Sequence, residues 1–280
     1  MRRHHPGAEG RRATVAAMPV PRAADGSVAT RRRPVAVLSG LLLGVVLLAG
    51  CGSGMGTPGP VTEQGSDVRT IWRVFLVGAV LVALLVWGLV LWSVLRYRRR
   101  GDGDEPPVQR QYHFGLEVLY TVVPVVIVIG LFTMTMVVTN RLTDTSAEPG
   151  VTVEVHGFQW QWRFVYPDDG VTLNGTADGR PTLVLPVGET VELHLVADDV
   201  IHSFWVPEFL EKRDLIPGQD NVIQIEITEP GEWVGRCAEF CGLDHWTMTF
   251  DVQALPRDEF EAWVSDAAAQ PQPILAEPAP

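Results

Sequence analysis

Residues 151–164 read VTVEVHGFQWQWRF, and apolar and polar positions alternate through most of the stretch. A period of two points successive side chains to opposite faces of a pleated strand, so the segment is predicted as a β-strand with one face buried. The pattern recurs in TLVLPVGETVELHLVADD (182–199), NVIQIEITEPGEWVGRC (221–237) and MTFDVQAL (248–255), with Gly and Pro turn signals between them. Short strands separated by such turns predict a β-sandwich or barrel of about a hundred residues, spanning 150–256. Beyond it, ALPRDEFEAWVSD (254–266) reads as a short closing helix and the Ala- and Pro-rich AAAQPQPILAEPAP (267–280) as a disordered tail, so that 257–280 is helix and tail.

Upstream of residue 150 the chain changes character. Residues 74–95 and 118–140 are uncharged for 22 and 23 positions, which meets the roughly 20 residues a helix needs to cross a bilayer. A third apolar block, LSGLLLGVVLLAG (38–50), is too short to span; it follows Arg31, Arg32 and Arg33 and ends in Leu48-Ala49-Gly50-Cys51. That is the pattern of a secretory signal over residues 1–50. The small residues before Cys51 resemble a bacterial lipobox, in which the cysteine becomes the lipid-bearing first residue of the mature chain; a signal cleaved elsewhere would leave Cys51 incidental. Residues 51–70, beginning with a Gly/Pro/Ser-rich run, read as a linker and 71–140 as a two-helix transmembrane hairpin. Arg96, Arg98, Arg99, Arg100 and Arg110 lie between the two spans, so the positive-inside rule puts that connector in the cytoplasm and the C-terminal half outside. The expected location is a bacterial plasma membrane, multi-pass, with the β-domain on the outer face.

Charge divides the same way. Residues 1–140 hold 15 Lys and Arg against 8 Asp and Glu, and residues 141–280 hold 7 against 25, which leaves +7 and −18. A domain at −18 argues against nucleic acid, whose phosphates demand the opposite sign. It suits a basic protein partner drawn in by the field, and equally the general acidity that keeps exported domains soluble.

The stretch CAEFCGLDHWTM (237–248) gathers two of the three cysteines with His245 and Met248. It is predicted as a loop between a strand ending near Val234 and another beginning near Met248. Thiolate and thioether with imidazole select copper over magnesium or calcium. One cysteine with histidines and a weak axial methionine would make a blue-copper site, whereas two bridging thiolates can hold two ions, each needing its own histidine. DDVIHSFWVPEF (198–209) offers His202 just after a strand, with Val200, Ile201, Phe204, Trp205 and Val206 as a water-poor surround. Two alternatives stay open. A Cys237–Cys241 disulfide suits an exported chain but leaves His202, His245 and Met248 unexplained, and zinc makes poor use of a methionine. His156 and His194 fall inside strand patterns and read as surface or packing residues, while His113 lies at the cytoplasmic edge of the second span.

The order of two spans, then a β-domain carrying H-S-F-W-V-P, then C-x-E-x-C-G-x-x-H-x-x-M, resembles subunit II of haem-copper cytochrome c oxidases over roughly residues 65–262. The resemblance implies a cupredoxin-like Greek-key fold with a binuclear CuA centre. The ligands it implies are His202, Cys237, Cys241, His245, Met248 and the backbone carbonyl of Glu239. It also implies a magnesium held by the Glu239 side chain at the contact with subunit I; read without it, Glu239 is a solvated acid between two cysteines. GFQWQWRF matches the family's aromatic segment, which makes Trp160 the point where electrons enter from a c-type cytochrome, against the plainer reading of a buried strand tryptophan. Gln161 stands where the family usually has another aromatic residue. Glu117, in LEVLYTVVP (116–124), matches a glutamate of a proton-uptake path, with Tyr120 in place of the usual tryptophan, against a carboxylate merely snorkelling to water. Asp199 and Asp214, with Asp198, Glu208 and Glu211, are expected to gather the basic donor over the copper site. The implied activity is that of an oxidase subunit that takes electrons from the cytochrome and passes them to a haem in subunit I, where oxygen is reduced and protons are pumped. A quinol oxidase subunit II would lack both cysteines, and nitrous oxide reductase carries a large propeller domain for which this chain is too short. A membrane-tethered copper carrier with no oxidase attached is the rival of a different class.

Overall fold

The computed structural model describes residues 55–98, 109–175 and 179–271. Cys51 and the predicted signal lie outside the described residues. Helix α1 (Glu63–Arg96) opens on Thr62, whose hydroxyl accepts from the Gly65 N–H at 3.0 Å, and carries Glu63 in its first turn, where a negative charge favours the helix dipole. Helix α2 (Phe114–Leu142) opens on His113, whose Nδ1 accepts from the Leu116 N–H at 3.2 Å. Both are long and apolar enough to cross a membrane. At 1.5 Å per residue their 34 and 29 residues measure about 51 and about 44 Å, more than the roughly 30 Å of a hydrocarbon core.

The surplus in α1 lies at its start, in residues read from the sequence as linker. There the chain is already part of the β-domain: the Val61 N–H donates to the Glu208 carbonyl at 3.1 Å, and the Thr228 N–H to the Val61 carbonyl at 2.9 Å. The Glu226 N–H donates to Gln64 Oε1 at 3.1 Å. Gly65 is buried against the Phe209 carbonyl, where a Cβ would come within 2.7 Å. The first helix therefore grows directly out of the sandwich edge with no flexible joint at residues 61–65.

The β-domain is a sandwich of two five-stranded sheets. One sheet runs β3-β2-β1-β5-β8, with β1 Val151–Phe158, β2 Gln161–Tyr166, β3 Val171–Asn174, β5 Thr190–Ala197 and β8 Asn221–Glu226. The other runs β4-β10-β9-β6-β7, with β4 Thr182–Pro186, β6 His202–Val206, β7 Glu211–Leu215, β9 Gly231–Cys237 and β10 Thr249–Leu255. β1 pairs with β5, and β4 with β10, in parallel; the other pairings are antiparallel. The chain crosses repeatedly from one sheet to the other, which gives the expected cupredoxin-like, Greek-key arrangement. In β1 the alternation of the sequence becomes alternation of burial, with Val151, Val153 and Val155 inside and Thr152, Glu154 and His156 half-buried.

The centre of the sandwich is aromatic. Phe250 packs with Trp162 at 5.1 Å, Phe204 at 5.1 Å and Phe164 at 5.5 Å between ring centroids. Tyr166, fully buried, ties the two sheets by donating to the Val184 carbonyl at 2.8 Å and accepting the Val184 N–H at 3.0 Å; burial pushes its hydroxyl well above the ordinary tyrosine value. Helix α3 (Arg257–Ala268) closes that end with buried Phe260 and with Trp263, 5.4 Å from the Tyr166 ring. It runs two residues into the stretch read as tail, because Ala267 is buried in the core. At the other end, Trp162 lies 6.5 Å from the His202 ring and donates from Nε1 to the Met248 carbonyl at 3.4 Å. The core thus fixes two of the residues implied as ligands.

Candidate metal centre

Strand pairing assembles the site. β6 and β9 are antiparallel neighbours, with Phe204 opposite Cys237, so His202 at the start of β6 stands beside the end of β9. β9 continues to Cys237, three residues past the end expected from the sequence, and the following strand begins at Thr249. The loop between them is closed at its base by the Cys237 N–H donating to the Met248 carbonyl at 2.9 Å. A single 3-10 turn over His245–Thr247 carries His245 and delivers Met248 back into the core.

The donor atoms form a continuous chain. Cys237 Sγ lies 3.8 Å from His202 Nδ1, 3.2 Å from the Glu239 carbonyl oxygen and 3.9 Å from Cys241 Sγ. Cys241 Sγ lies 3.6 Å from His245 Nδ1 and 3.8 Å from Met248 Sδ. Two ligands bonded at 2.0–2.3 Å to one tetrahedral ion stand about 3.3–3.8 Å apart, so these separations fit donors that share a metal. The sulfurs are free thiols. His202, Cys237 and Cys241 are buried and hold their donor atoms within 4.8 Å of one another. Each imidazole meets a different sulfur, which is the arrangement two ions need. Five of the six donors are sulfur or imidazole, and four of these residues, His202, Cys237, Cys241 and Met248, are buried; this set suits copper.

Neighbouring groups orient the ligands. His202 is fully buried, and its Nε2 meets Asp199 Oδ1 at 2.7 Å, which leaves Nδ1 for the sulfur side. Burial would raise the Asp199 carboxyl, but hydrogen bonds from His202 and from the Gln159 and Val200 N–H groups outweigh it and hold it below the ordinary carboxylate value. Burial likewise opposes ionisation of Cys237, yet contacts with His202 and nearby backbone lower that thiol below the ordinary cysteine value, while burial and the charge on Cys237 push Cys241 above it. A bound cation would favour the thiolate form of both sulfurs.

Several residues expected at the surface have other partners. Asp199, though exposed, holds His202 Nε2 and the Gln159 and Val200 N–H groups. Asp214 Oδ1 takes a hydrogen bond from Lys212 Nζ at 2.6 Å and from the Ser203 hydroxyl at 2.7 Å. The same Lys212 Nζ donates to Glu239 Oε1 at 2.8 Å, so an ammonium stands beside the carboxylate expected to hold magnesium. Lys212 thus competes with a magnesium ion for Glu239 Oε1. Asp198 is engaged by His156 at 2.9 Å and Arg163 at 3.6 Å, and Glu211 by Arg213 at 2.7 Å. Of the apolar residues expected around His202, Val200 and Ile201 are 39% and 48% exposed, whereas Phe204, opposite Cys237, and Val206 are buried. Trp162 is the buried strand tryptophan; Trp160 is half-buried rather than open, with its indole against Gly242. Glu117 caps α2, its Oε1 accepting the His113 N–H at 2.9 Å. His156 and His194 sit on strands paired with carboxylates, as packing residues. The reading of the sequence missed Lys212, Gln159 and the loop side chains Phe240, Leu243 and Trp246, each at least 80% exposed.

The sequence profile described as "Cytochrome C oxidase subunit II, periplasmic domain" matches residues 151–255. "Probable cytochrome c oxidase subunit 2" of Streptomyces avermitilis is 36% identical over 294 residues, covering 89% of this chain and 92% of that protein. The chain belongs to the cytochrome c oxidase subunit II family. "Cytochrome c oxidase subunit 2" of Mycobacterium tuberculosis is 31% identical over 306 residues, covering 87% of this chain and 84% of that protein. The crystal structure of the periplasmic domain of subunit II of cytochrome oxidase from Bradyrhizobium japonicum, at 30% identity, aligns with a TM-score of 0.41 and covers 43% of this chain and 95% of that one. As a subunit II, the chain is part of an oxidoreductase complex with other oxidase subunits, and its two apolar helices fit a membrane anchor.

Proposed function

We propose that this chain is the electron-accepting subunit of its oxidase, with a binuclear copper centre held by His202, Cys237, Cys241, His245, Met248 and the carbonyl of Glu239. The observation that carries the reading is the chain of donor contacts at 3.2–3.9 Å in which each of two sulfurs has its own imidazole. Two copper ions sharing both thiolates would accept and release one electron at a time. The protein's part is to hold the ligands still. Asp199 fixes the His202 ring, Trp162 ties the core to Met248, and the closed loop base prevents the sulfurs from moving when charge changes. A site that moves little on gaining an electron keeps the barrier to transfer low.

Trp160 is the route by which an electron from a c-type cytochrome reaches the centre, since its indole packs on Gly242, the residue after Cys241. The donor meets a loop whose Phe240, Leu243 and Trp246 are exposed and apolar, a surface suited to a protein contact. From the centre the electron passes to haem in subunit I. The mature chain begins at a lipidated Cys51, the hairpin crosses the bacterial plasma membrane, and the copper domain faces outward. Glu117, in the first turn of α2 on the cytoplasmic side, helps protons enter. A magnesium held by Glu239 would stand beside the Lys212 ammonium.

Metal analysis and electron resonance of the purified full chain test the reading. Two coppers per chain with one unpaired electron spread over both are expected, and Cys241→Ser should leave one copper or none. One localised copper in the wild type would overturn it. Purification in mild detergent without a haem-bearing partner would favour the tethered carrier.

A further inference from the structure

The turn between β1 and β2 touches the metal loop and the His202 support through one residue. The backbone N–H of Gln159 donates to Asp199 Oδ2 at 2.7 Å, and Asp199 Oδ1 in turn holds His202 Nε2 at 2.7 Å. The side-chain Nε2 of Gln159 donates to the carbonyl oxygen of Cys241 at 2.6 Å. His202 opens β6 and Cys241 lies in the loop after β9, and both contact Cys237 Sγ, so Gln159 links two of the donor residues from different segments of the chain.

The peptide that follows Cys241 depends on this contact. Gly242 has φ +124°, and a Cβ there would fall 3.0 Å from Gln159 Nε2 and 3.2 Å from Trp160 Nε1. The β1–β2 turn therefore lies directly on the Cys241–Gly242 backbone. Among the described residues, the buried indole Nε1 of Trp160 has no hydrogen-bond partner. Among the described residues, the Gln159 side chain makes the hydrogen bond that ties the turn to the loop.

Resting on the copper reading above, we propose that Gln159 is a positioning residue of the centre: its amide N–H locks the Cys241 carbonyl, and so sets both the orientation of the Cys241 sulfur and the distance from Trp160 to it. Gln159 never touches the metal. It acts through Cys241 on one side and Asp199 on the other, and the backbone half of that grip survives any change of its side chain.

The experiment uses the full chain in detergent with Gln159→Met, which keeps the length and removes the donor, Gln159→Glu, which keeps the shape and repels the carbonyl, and Gln159→Lys, which restores an N–H donor. Gln159 is exposed at a turn, so all three variants can fold. In copper-free protein, alkylation of Cys241 by iodoacetamide, followed by mass spectrometry, should be faster in the Met and Glu variants and near wild type in Lys. In copper-loaded protein the Met and Glu variants should keep two coppers, show an altered hyperfine pattern and accept electrons from cytochrome c about tenfold more slowly. Wild-type alkylation and resonance in the Met variant would overturn the proposal, as would a Lys variant as impaired as Met. A wild-type chain that fails to bind two coppers would instead sink the copper reading, and the alkylation arm would still judge Gln159.

Discussion

Asp199→Ala tests whether the carboxylate that the sequence suggests as a docking charge is a ligand support. His202 is fully buried and its Nε2 has Asp199 Oδ1 at 2.7 Å. Removing the acceptor leaves a buried N–H without a partner, at a cost of about 1–3 kcal/mol. Groups that orient metal-bound histidines are worth about 10- to 100-fold in metal affinity, which converts to about 1.4–2.8 kcal/mol. The two routes agree, so the copper dissociation constant of Asp199→Ala should rise 10- to 100-fold by that rule. The Gln159 and Val200 N–H groups also lose their acceptor, but both residues are exposed and water can replace it. Asp199→Asn should fall between, because its amide oxygen can accept from His202 while its NH2 then faces the Gln159 N–H. Competition with a copper chelator measures the affinity, and circular dichroism verifies that each variant is folded. An Asp199→Ala protein binding copper within about twofold of wild type would refute the assignment, since the expected loss is at least about tenfold. If its only change were the salt dependence of reduction by cytochrome c, Asp199 would be acting at the surface after all.

Trp160→Ala should slow stopped-flow reduction by cytochrome c by orders of magnitude while copper content and the salt dependence of binding stay near wild type; an unchanged rate would mean that electrons enter elsewhere. A pH effect is expected far from the metal, at His194, whose Nδ1 and Nε2 meet Asp220 and Glu192 at 3.1 and 3.0 Å. Burial works against its charge, but those hydrogen bonds raise its pKa above the ordinary 6.5. A raised folded-state value means that the contribution to stability is fully present below 6.5 and is lost as pH rises through the shifted value. Urea unfolding of the wild type should therefore give a lower midpoint at about pH 9 than at about pH 6, and His194→Gln should flatten that difference; equal slopes in the two proteins would exclude His194 as the source.

Some of this was open to reading from the sequence because the relevant physics is local. The two-residue period of 151–164 reports a pleated strand with one face inside, and it reappears as the burial alternation of β1. Cys237, Cys241, His245 and Met248 share one loop, so their spacing alone carries the donor chemistry to the page. The apolar runs locate the bilayer-length helices, but not where α1 starts. Hydropathy stops at residue 74, whereas the helix begins at Glu63 because Thr62 caps it and Phe209, Glu208 and Glu226, over 140 residues away, receive the turn before it.

What surrounds the site was decided by tertiary structure. Asp199, Asp214 and Glu239 look alike in sequence, as exposed acids near a copper motif, yet one grips His202 and the other two share Lys212. Those assignments depend on strand register: β6 pairs with β7 so that Trp205 lies opposite Lys212, and with β9 so that Phe204 lies opposite Cys237. Gln159 meets Cys241 across 82 positions of chain, and no local pattern marks a polar residue at a turn for such a contact. Donor type is a property of a side chain and is written where the residue stands. The partner a charge or an amide finds is set by which strands the folded core brings together.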